Sequence, residues 1–393
     1  MDTQWFDHIH KIPKEQWDRL AVAEKTPLLE WEWLRVLEDS GSIDEREGWN
    51  PNHLTLWDGD TLVAAAPLYV KTHSMGEFVF DFAWADVAHQ IGAPYYPKLI
   101  GMSPATPSNA FRILVDPERD NADSIRSHVV STALGFAEEQ SLGGVAFNFI
   151  EPTDKALYER HGFTAWRHQS YEWINENFSD FEDYLAVFNK NQRRNIRRER
   201  RTMEREGIRI EVKTGEDITP ALFDRMWYYY ELHNAQFGPW AAKFLNRDFF
   251  HGLGDVYRER LAFVCAYHPD FSMDPEEPVA MAFLIVKDDL MIGRYWGAAA
   301  HIPDLHFNVC YYTPIEWAIQ QGYARFDPGM GSSHKVRRGF RATSSYSMHR
   351  FLDERMRAIM TANIEDINSM EGMHIGELNA ARPVKKSTSG AVS

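Results

Sequence analysis

Apolar residues recur at helical spacing over LLEWEWLRVLEDS (28–40), which predicts an amphipathic helix. The segment HLTLWDGDTLVAAAPLYV (53–70) reads as a hairpin turning at Asp58-Gly59, and GEFVFDFAWAD (76–86) as a strand entering a loop. The proline- and aromatic-rich PYYPKLIGMSPATPS (94–108) reads as a structured loop over a cleft. A helix over 123–140, a buried strand GVAFNFI (144–150), a short helix capped at Gly162 and the strand 163–174 follow. A capping box at Ser179–Glu182 opens one helix, expected to run to about Glu206 and stop at Gly207. The alternation then restarts. Strands are predicted over 208–214, 261–268, 277–300 (turning at Asp288-Asp289) and 323–330, and helices over 221–236 and 314–321.

The chain echoes itself. VAAAPLYVK (63–71) and VAMAFLIVK (279–287) are identical at six of nine positions. Each follows a turn, precedes a strand and is followed by the order helix, glycine, buried strand. Two copies of a mixed α/β unit explain this: residues 1–177 and 208–378, joined by a basic helix over 178–207, with a disordered tail over 379–393. The expected class is α+β, mixed central sheets flanked by helices. A length of 393 residues suits two such domains.

Composition narrows the classes. With 44% hydrophobic and 13% aromatic residues, the chain is globular. Only Cys265 and Cys310 are present, which excludes a disulfide framework or a four-cysteine zinc site and points to a reducing cytoplasm. The first sixteen residues lack a basic start followed by an apolar run, so no signal peptide is expected, and no integral membrane segment is present. A formal net charge of −15 argues against general nucleic-acid binding, while leaving a local basic patch free to act.

Three segments carry candidate chemistry. The first is RFDPGMGSSHKVRRGF (325–340), where a strand ends in a glycine bend and His334, Lys335 and Arg338 follow closely. The second is GRYWGAA (293–299), a glycine-bounded aromatic strand containing Arg294 and Trp296. Arg294, Gly297 and Ala299 formally fit the R-x-x-G-x-A loop that grips coenzyme A pyrophosphate. That match is discounted, because it falls within a strand, whereas the grip needs free N–H groups at a helix start. The third is the basic helix, in which Lys190, Arg194, Arg197, Arg201 and Arg205 form one stripe suited to phosphates of coenzyme A, a tRNA or a lipid carrier. An N-terminal patch of Asp81, Trp84, Asp86, Tyr95, Tyr96, Lys98, Thr106 and Arg112 reads as a second cleft or as packing in a degenerate copy. No P-loop, Rossmann fingerprint, H-E-x-x-H or G-x-S-x-G occurs.

GRYWGAAAHIPDLHFNVCYYTPIEWAI and FDPGMGSSHKVRRGF resemble the FemAB-like family, associated with peptidoglycan biosynthesis or recognition within the GNAT superfamily. LLEWEWLRVLEDSGS, GEFVFDFAWAD, YYPKL and NQRRNIRRERR resemble it too, so the likeness spans roughly 25–352. It implies tandem GNAT folds and N-acyl transfer. The family pattern P-G-A-Q-G-E-H-K reads PGMGSSHK here, with Ser333 at the acidic position, and L-H-F-E reads LHFN, with Asn308 replacing a second carboxylate.

An N-acyltransferase needs a base for the amine, a polarised carbonyl and a proton for the leaving group. The candidates are His334 as base, Arg294 or backbone N–H groups of a bulged strand on the carbonyl, and Tyr311 or Tyr312 as proton donor. Asp327 would orient His334. Lys335, Arg338, Trp296, Arg194, Arg197 and Arg201 are candidate donor or acceptor contacts, and the chemistry requires no metal. The expected donors are acyl-CoA or aminoacyl-tRNA, and the acceptor is a small-molecule or cell-wall precursor amine. The rival reading is a non-catalytic protein recognising an anionic glycan or cell-wall fragment.

Overall fold

The computed structural model describes residues 1–238, 241–271, 274 and 276–385. Its strands are β1 (Asp2–Phe6), β2 (Trp49–Pro51), β3 (His53–Asp58), β4 (Thr61–Ala66), β5 (Leu68–Lys71), β6 (Lys98–Gly101), β7 (Leu114–Val115), β8 (Gly144–Phe147), β9 (Thr164–Ile174), β10 (Arg209–Thr214), β11 (Leu261–Tyr267), β12 (Ala280–Lys287), β13 (Leu290–Ala298), β14 (Arg325–Asp327) and β15 (Arg341–Phe351). The chain groups into two compact units. One holds residues 1–169, 242–257 and 344–373, and the other holds 170–241, 258–343 and 374–393.

In the first unit, β1, β3, β4 and β7 form a small sheet, and β2, β5, β6 and β8 form a second one closed by residues 348–351 of β15. The helix Ala122–Glu139 buries Ile125, Val129, Val130, Ala133 and Ala137 in a core with Leu54, Leu56, Leu99 and Phe147. Each large apolar side chain removed from water in this way contributes roughly 1.5–3 kcal/mol.

In the second unit the order is β10-β11-β12-β13-β14, ending on residues 173–174 of β9. Its core includes Tyr171, Trp173, Leu284, Met291, Tyr312 and Phe340. The helix Lys190–Arg205 contributes Ile196 and Met203 to that core, so residues 190–205 are part of this unit rather than a free connector. Residues 344–373, assigned from sequence to the C-terminal copy, group with the first unit because 348–351 extend its sheet.

The two units repeat one pattern of directions. From β2 to β15 the pairings run antiparallel, antiparallel, parallel, antiparallel. From β11 to β9 they run the same way. The echoed segments sit at matching places. Residues 280–287 form the unbroken strand β12, with a register shift at Phe283/Leu284. Its counterpart splits into β4 and β5 at Pro67, the residue aligned with Phe283, because proline cannot donate to a ladder.

Several local expectations change. Residues 76–80 form no strand, since Phe78 and Phe80 have positive φ, and a helix occupies Phe82–Ile91 instead. The segment 94–108 contains β6 rather than loop alone. The helix expected over 179–206 is two, Phe181–Ala186 and Lys190–Arg205. Asn189 caps the second by accepting from the Gln192 N–H. The predicted disordered tail begins as helix to Ala380, and Val384 bridges to Phe188. Residues 386–393 of that tail lie outside the described residues.

Candidate active site in the second unit

The site grows from an irregularity in β13. Phe283 faces Tyr295 and Leu284 faces Gly293, so Arg294 is an extra residue bulged from the ladder. Alongside, β14 runs parallel to β13 as far as the pair Ile292 and Asp327. Beyond Asp327 the chain bends through Pro328-Gly329-Met330-Gly331, with positive φ at both glycines. A Cβ on Gly329 would lie 3.2 Å from the Gly293 carbonyl oxygen, so the bend packs tightly on the bulged strand. The Asp327 carboxylate accepts from the Gly329 N–H at 2.8 Å. Buried Lys335 reaches back from the following 3-10 helix, Ser333–Arg338, to donate to the carbonyls of Gly329 (2.9 Å) and Met330 (2.7 Å).

Strand and bend enclose a cleft of about 670 Å³, with Arg294, Tyr295, Trp296, Tyr311, Ser332, His334 and Lys335 on its walls. His334 is half-buried there. Its Nε2 lies 3.0 Å from the Tyr311 hydroxyl, and its Nδ1 meets the Ser332 hydroxyl. Burial, reinforced by the cations of Arg338 and Lys335, lowers the His334 pKa to about 4. The ring is therefore neutral at pH 7. Burial pushes the Tyr311 phenol up, so it stays protonated and donates to Nε2. The ring hydrogen then falls on Nδ1, facing Ser332. Lys335 is lowered to about 8 by burial, opposed by Asp327.

Behind the cleft, Arg338 is committed to internal partners. It donates to the His334 carbonyl (3.0 Å) and to the Glu199 carboxylate (3.0 Å), and its guanidinium lies 3.3 Å above the Phe307 ring. Tyr312 donates to the same carboxylate oxygen of Glu199. Asn308, at the position of a family carboxylate, donates to the carbonyls of Glu199 (3.0 Å) and Asp304 (2.9 Å). Gln192 donates to the Arg337 carbonyl at 2.7 Å. The buried face of the basic helix thus fixes the loop that carries His334.

The structure gathers His334, Tyr311, Arg294, Trp296 and Lys335 on one cleft, with Asp327 at its root and Arg338 behind it. It does not bring Arg194, Arg197 or Arg201 there. These lie on the exposed face of the helix Lys190–Arg205, where Arg197 pairs with Glu182 at 2.5 Å. On the same helix Arg200 pairs with Glu316 at 2.6 Å. Lining residues without an assigned role include His233, His306, Cys310 and Ser332. Cys310 lies 3.5 Å from His306 Nδ1, and the i, i+4 spacing of that pair was the available signal.

The N-terminal patch is packed rather than open. Lys98 meets Asp81 at 2.6 Å and Glu77 at 2.8 Å, and Tyr95 donates to Asp81 at 2.7 Å, all buried. Arg112 pairs with Asp154, and Thr106 donates to the Pro104 carbonyl.

The discounted R-x-x-G-x-A match lies inside β13, and the short helix after it, Leu305–Phe307, has Asp304 as its N-cap. An acidic cap opposes an anion there.

Comparison with solved structures gives the fold. FemX matches with a TM-score of 0.54 at 11% identity, covering 92% of this chain and 100% of its own. A conserved protein of unknown function from Bacteroides thetaiotaomicron VPI-5482 matches at 0.50 and 10%, covering 90% and 100%. A tandem GNAT protein from the clavulanic acid biosynthesis pathway aligns at 0.44 and 11%, covering 89% and 98%. The fold is the one shared with FemX. No curated protein matches. The family described as FemAB-like, peptidoglycan biosynthesis/recognition, matches residues 8–386, and the chain belongs to that family.

Proposed function

We propose that the cleft of the second unit transfers an acyl or aminoacyl group from an ester or thioester donor to the amine of a cell-wall precursor. The observation that carries this reading is the Tyr311–His334–Ser332 relay facing a bulged strand across one cleft. Arg294, on the cleft wall, supplies a positive charge for the oxygen on which charge develops. As the amine attacks, its proton passes to the Tyr311 oxygen while the Tyr311 hydrogen passes to His334 Nε2. Burial and two neighbouring cations make the resulting imidazolium acidic, so it returns the proton through Tyr311 to the leaving oxygen or sulfur. Lys335 and Asp327 shape the glycine bend that holds this geometry.

The acidic cap at Asp304 and the paired N–H groups of β13 favour a donor other than coenzyme A. Lys190, Arg194, Arg197, Arg201 and Arg205 are all exposed and supply the contact for an anionic part of donor or acceptor. Purified protein tests this reading with coenzyme A, tRNA and wall fragments titrated side by side, followed by amide formation from acyl-CoA and aminoacyl-tRNA. Transfer from either donor supports the reading. Binding of wall fragments without transfer from any donor replaces it with a recognition protein. Reversing Arg194, Arg197 and Arg201 to Glu should weaken donor or acceptor binding and flatten its salt dependence.

A further inference from the structure

Far along the chain from the cleft residues, within the first unit, the N-terminal segment sets two histidines against the end of the helix Trp31–Asp39. His8 and His10 flank Ile9, where the 3-10 turn Ile9–Lys11 begins. Their ring centroids are 3.9 Å apart. His8 Nε2 lies 3.4 Å from Asp39 Oδ1, and His10 Nδ1 lies 4.0 Å from the same oxygen. One ligand atom from each of the three residues lies within 4.8 Å of the others. Around a tetrahedral zinc with bonds of about 2.0–2.1 Å, ligand atoms stand about 3.4 Å apart. The His8–Asp39 edge already has that length. Exposed His10 offers a ring nitrogen within 4.8 Å of both other ligand atoms.

What stands behind these residues separates them from a chance surface group. Glu38 is buried, and its Oε2 lies 3.3 Å from His8 Nδ1 while accepting from the Ile9 N–H at 2.8 Å. Its Oε1 is held by His53 Nε2 (2.8 Å) and by the Tyr69 hydroxyl (3.2 Å). A fixed carboxylate beside one imidazole nitrogen is placed to accept its hydrogen once the other nitrogen ligates a metal, the arrangement that supports metal-bound histidine. As the structure stands, His8 Nδ1 accepts from the His10 N–H at 3.2 Å; ligation through Nε2 exchanges that bond for donation from Nδ1 to Glu38. Arg35 holds the second Asp39 oxygen at 2.7 Å, leaving Oδ1 to the histidines.

We propose that His8 Nε2, His10 Nδ1 and Asp39 Oδ1 bind a divalent first-row transition ion of the zinc class, with water completing its coordination. Two imidazoles and one carboxylate suit that class over calcium or magnesium. The ion ties the segment after β1 to the helix Trp31–Asp39, and the site stands independently of the acyl-transfer reading.

The test uses the full chain without a histidine tag, titrated with Zn²⁺ by calorimetry and with Co²⁺ by visible absorption. One equivalent of either ion should bind, Co²⁺ with ligand-field bands, and Zn²⁺ should raise the melting temperature. His10→Ala and Asp39→Ala should each weaken Zn²⁺ binding by a hundredfold or more, and Glu38→Gln by about ten- to a hundredfold. Both His10 and Asp39 are exposed, so those variants decide the matter even if Glu38→Gln fails to fold. His334→Ala should leave the titration unchanged. Failure of the untagged chain to bind one equivalent, or binding that survives His10→Ala and Asp39→Ala combined, overturns the proposal.

Discussion

The hydroxyl of Tyr311 stands 3.0 Å from Nε2 of His334, one residue on the turn before the helix Thr313–Gln321 and the other on the loop after β14. If this pair moves the proton, activity should keep its neutral imidazole well into acid. The acid limb of kcat/KM should fall near pH 4 rather than near the ordinary histidine value of about 6.5. Lys335→Met removes a cation beside the ring and should move that limb upward. Tyr311→Phe breaks the relay and should lower kcat/KM by about 10²–10⁴-fold. The measurement is a pH–rate profile for each variant. A wild-type limb near 6.5 would contradict the assigned environment.

Glu199 and Arg338 form the buried tie between the basic helix and the loop carrying His334. Removing one partner strands a buried charge, which typically costs about 3–5 kcal/mol. Glu199→Ala should therefore lower the urea midpoint strongly. The double variant Glu199→Leu with Arg338→Met should recover much of that loss. An exposed pair would give less than about 1 kcal/mol for the single change, and such a value would refute the burial argument.

At Gly297 a Cβ would lie 2.3 Å from the Tyr229 carbonyl oxygen. Backbone faces backbone there, so no side chain can swing aside. Gly297→Ala should destabilise by about 1–3 kcal/mol, read as a fall in the denaturant midpoint. A neutral result would show that the helix Pro220–Ala235 does not press on β13 as described.

His168 and His349 share the Ser347 hydroxyl at 2.6 and 2.7 Å in the first unit, and burial lowers both to about 3. Each folded value lies below the unfolded one. Their stabilising contribution is therefore complete above about pH 6.5 and is lost as pH falls toward 3. Chemical denaturation across that window should show stability declining with acid. The variant His168→Gln with His349→Gln should show a shallower slope.

Much of this architecture was legible in the chain. The six identities between 63–71 and 279–287 located matching strands, and their different fates at Pro67 and Phe283 follow from one missing N–H. The glycine bend before His334 marked the candidate cleft, because Gly329 and Gly331 hold conformations that other residues resist. Long-range partners were not legible. Nothing local shows that Arg338 turns inward to Glu199, or that Lys335 donates to two carbonyls. The strand expected at 76–86 failed because Phe78 and Phe80 take positive φ, which alternation cannot report, and Glu77 and Asp81 pair with Lys98 instead.

The central claim is that the second-unit cleft makes an amide bond through His334. Its most direct test is the rate of amide formation by wild-type protein and by His334→Ala, followed by mass spectrometry with acyl-CoA and aminoacyl-tRNA donors and an amine-bearing wall precursor. The account predicts transfer by the wild type from at least one donor. It also predicts a fall of about 10²–10⁴-fold in the variant, with the melting temperature little changed. Equal rates in the two proteins, or no transfer from either donor by the wild type, would contradict it.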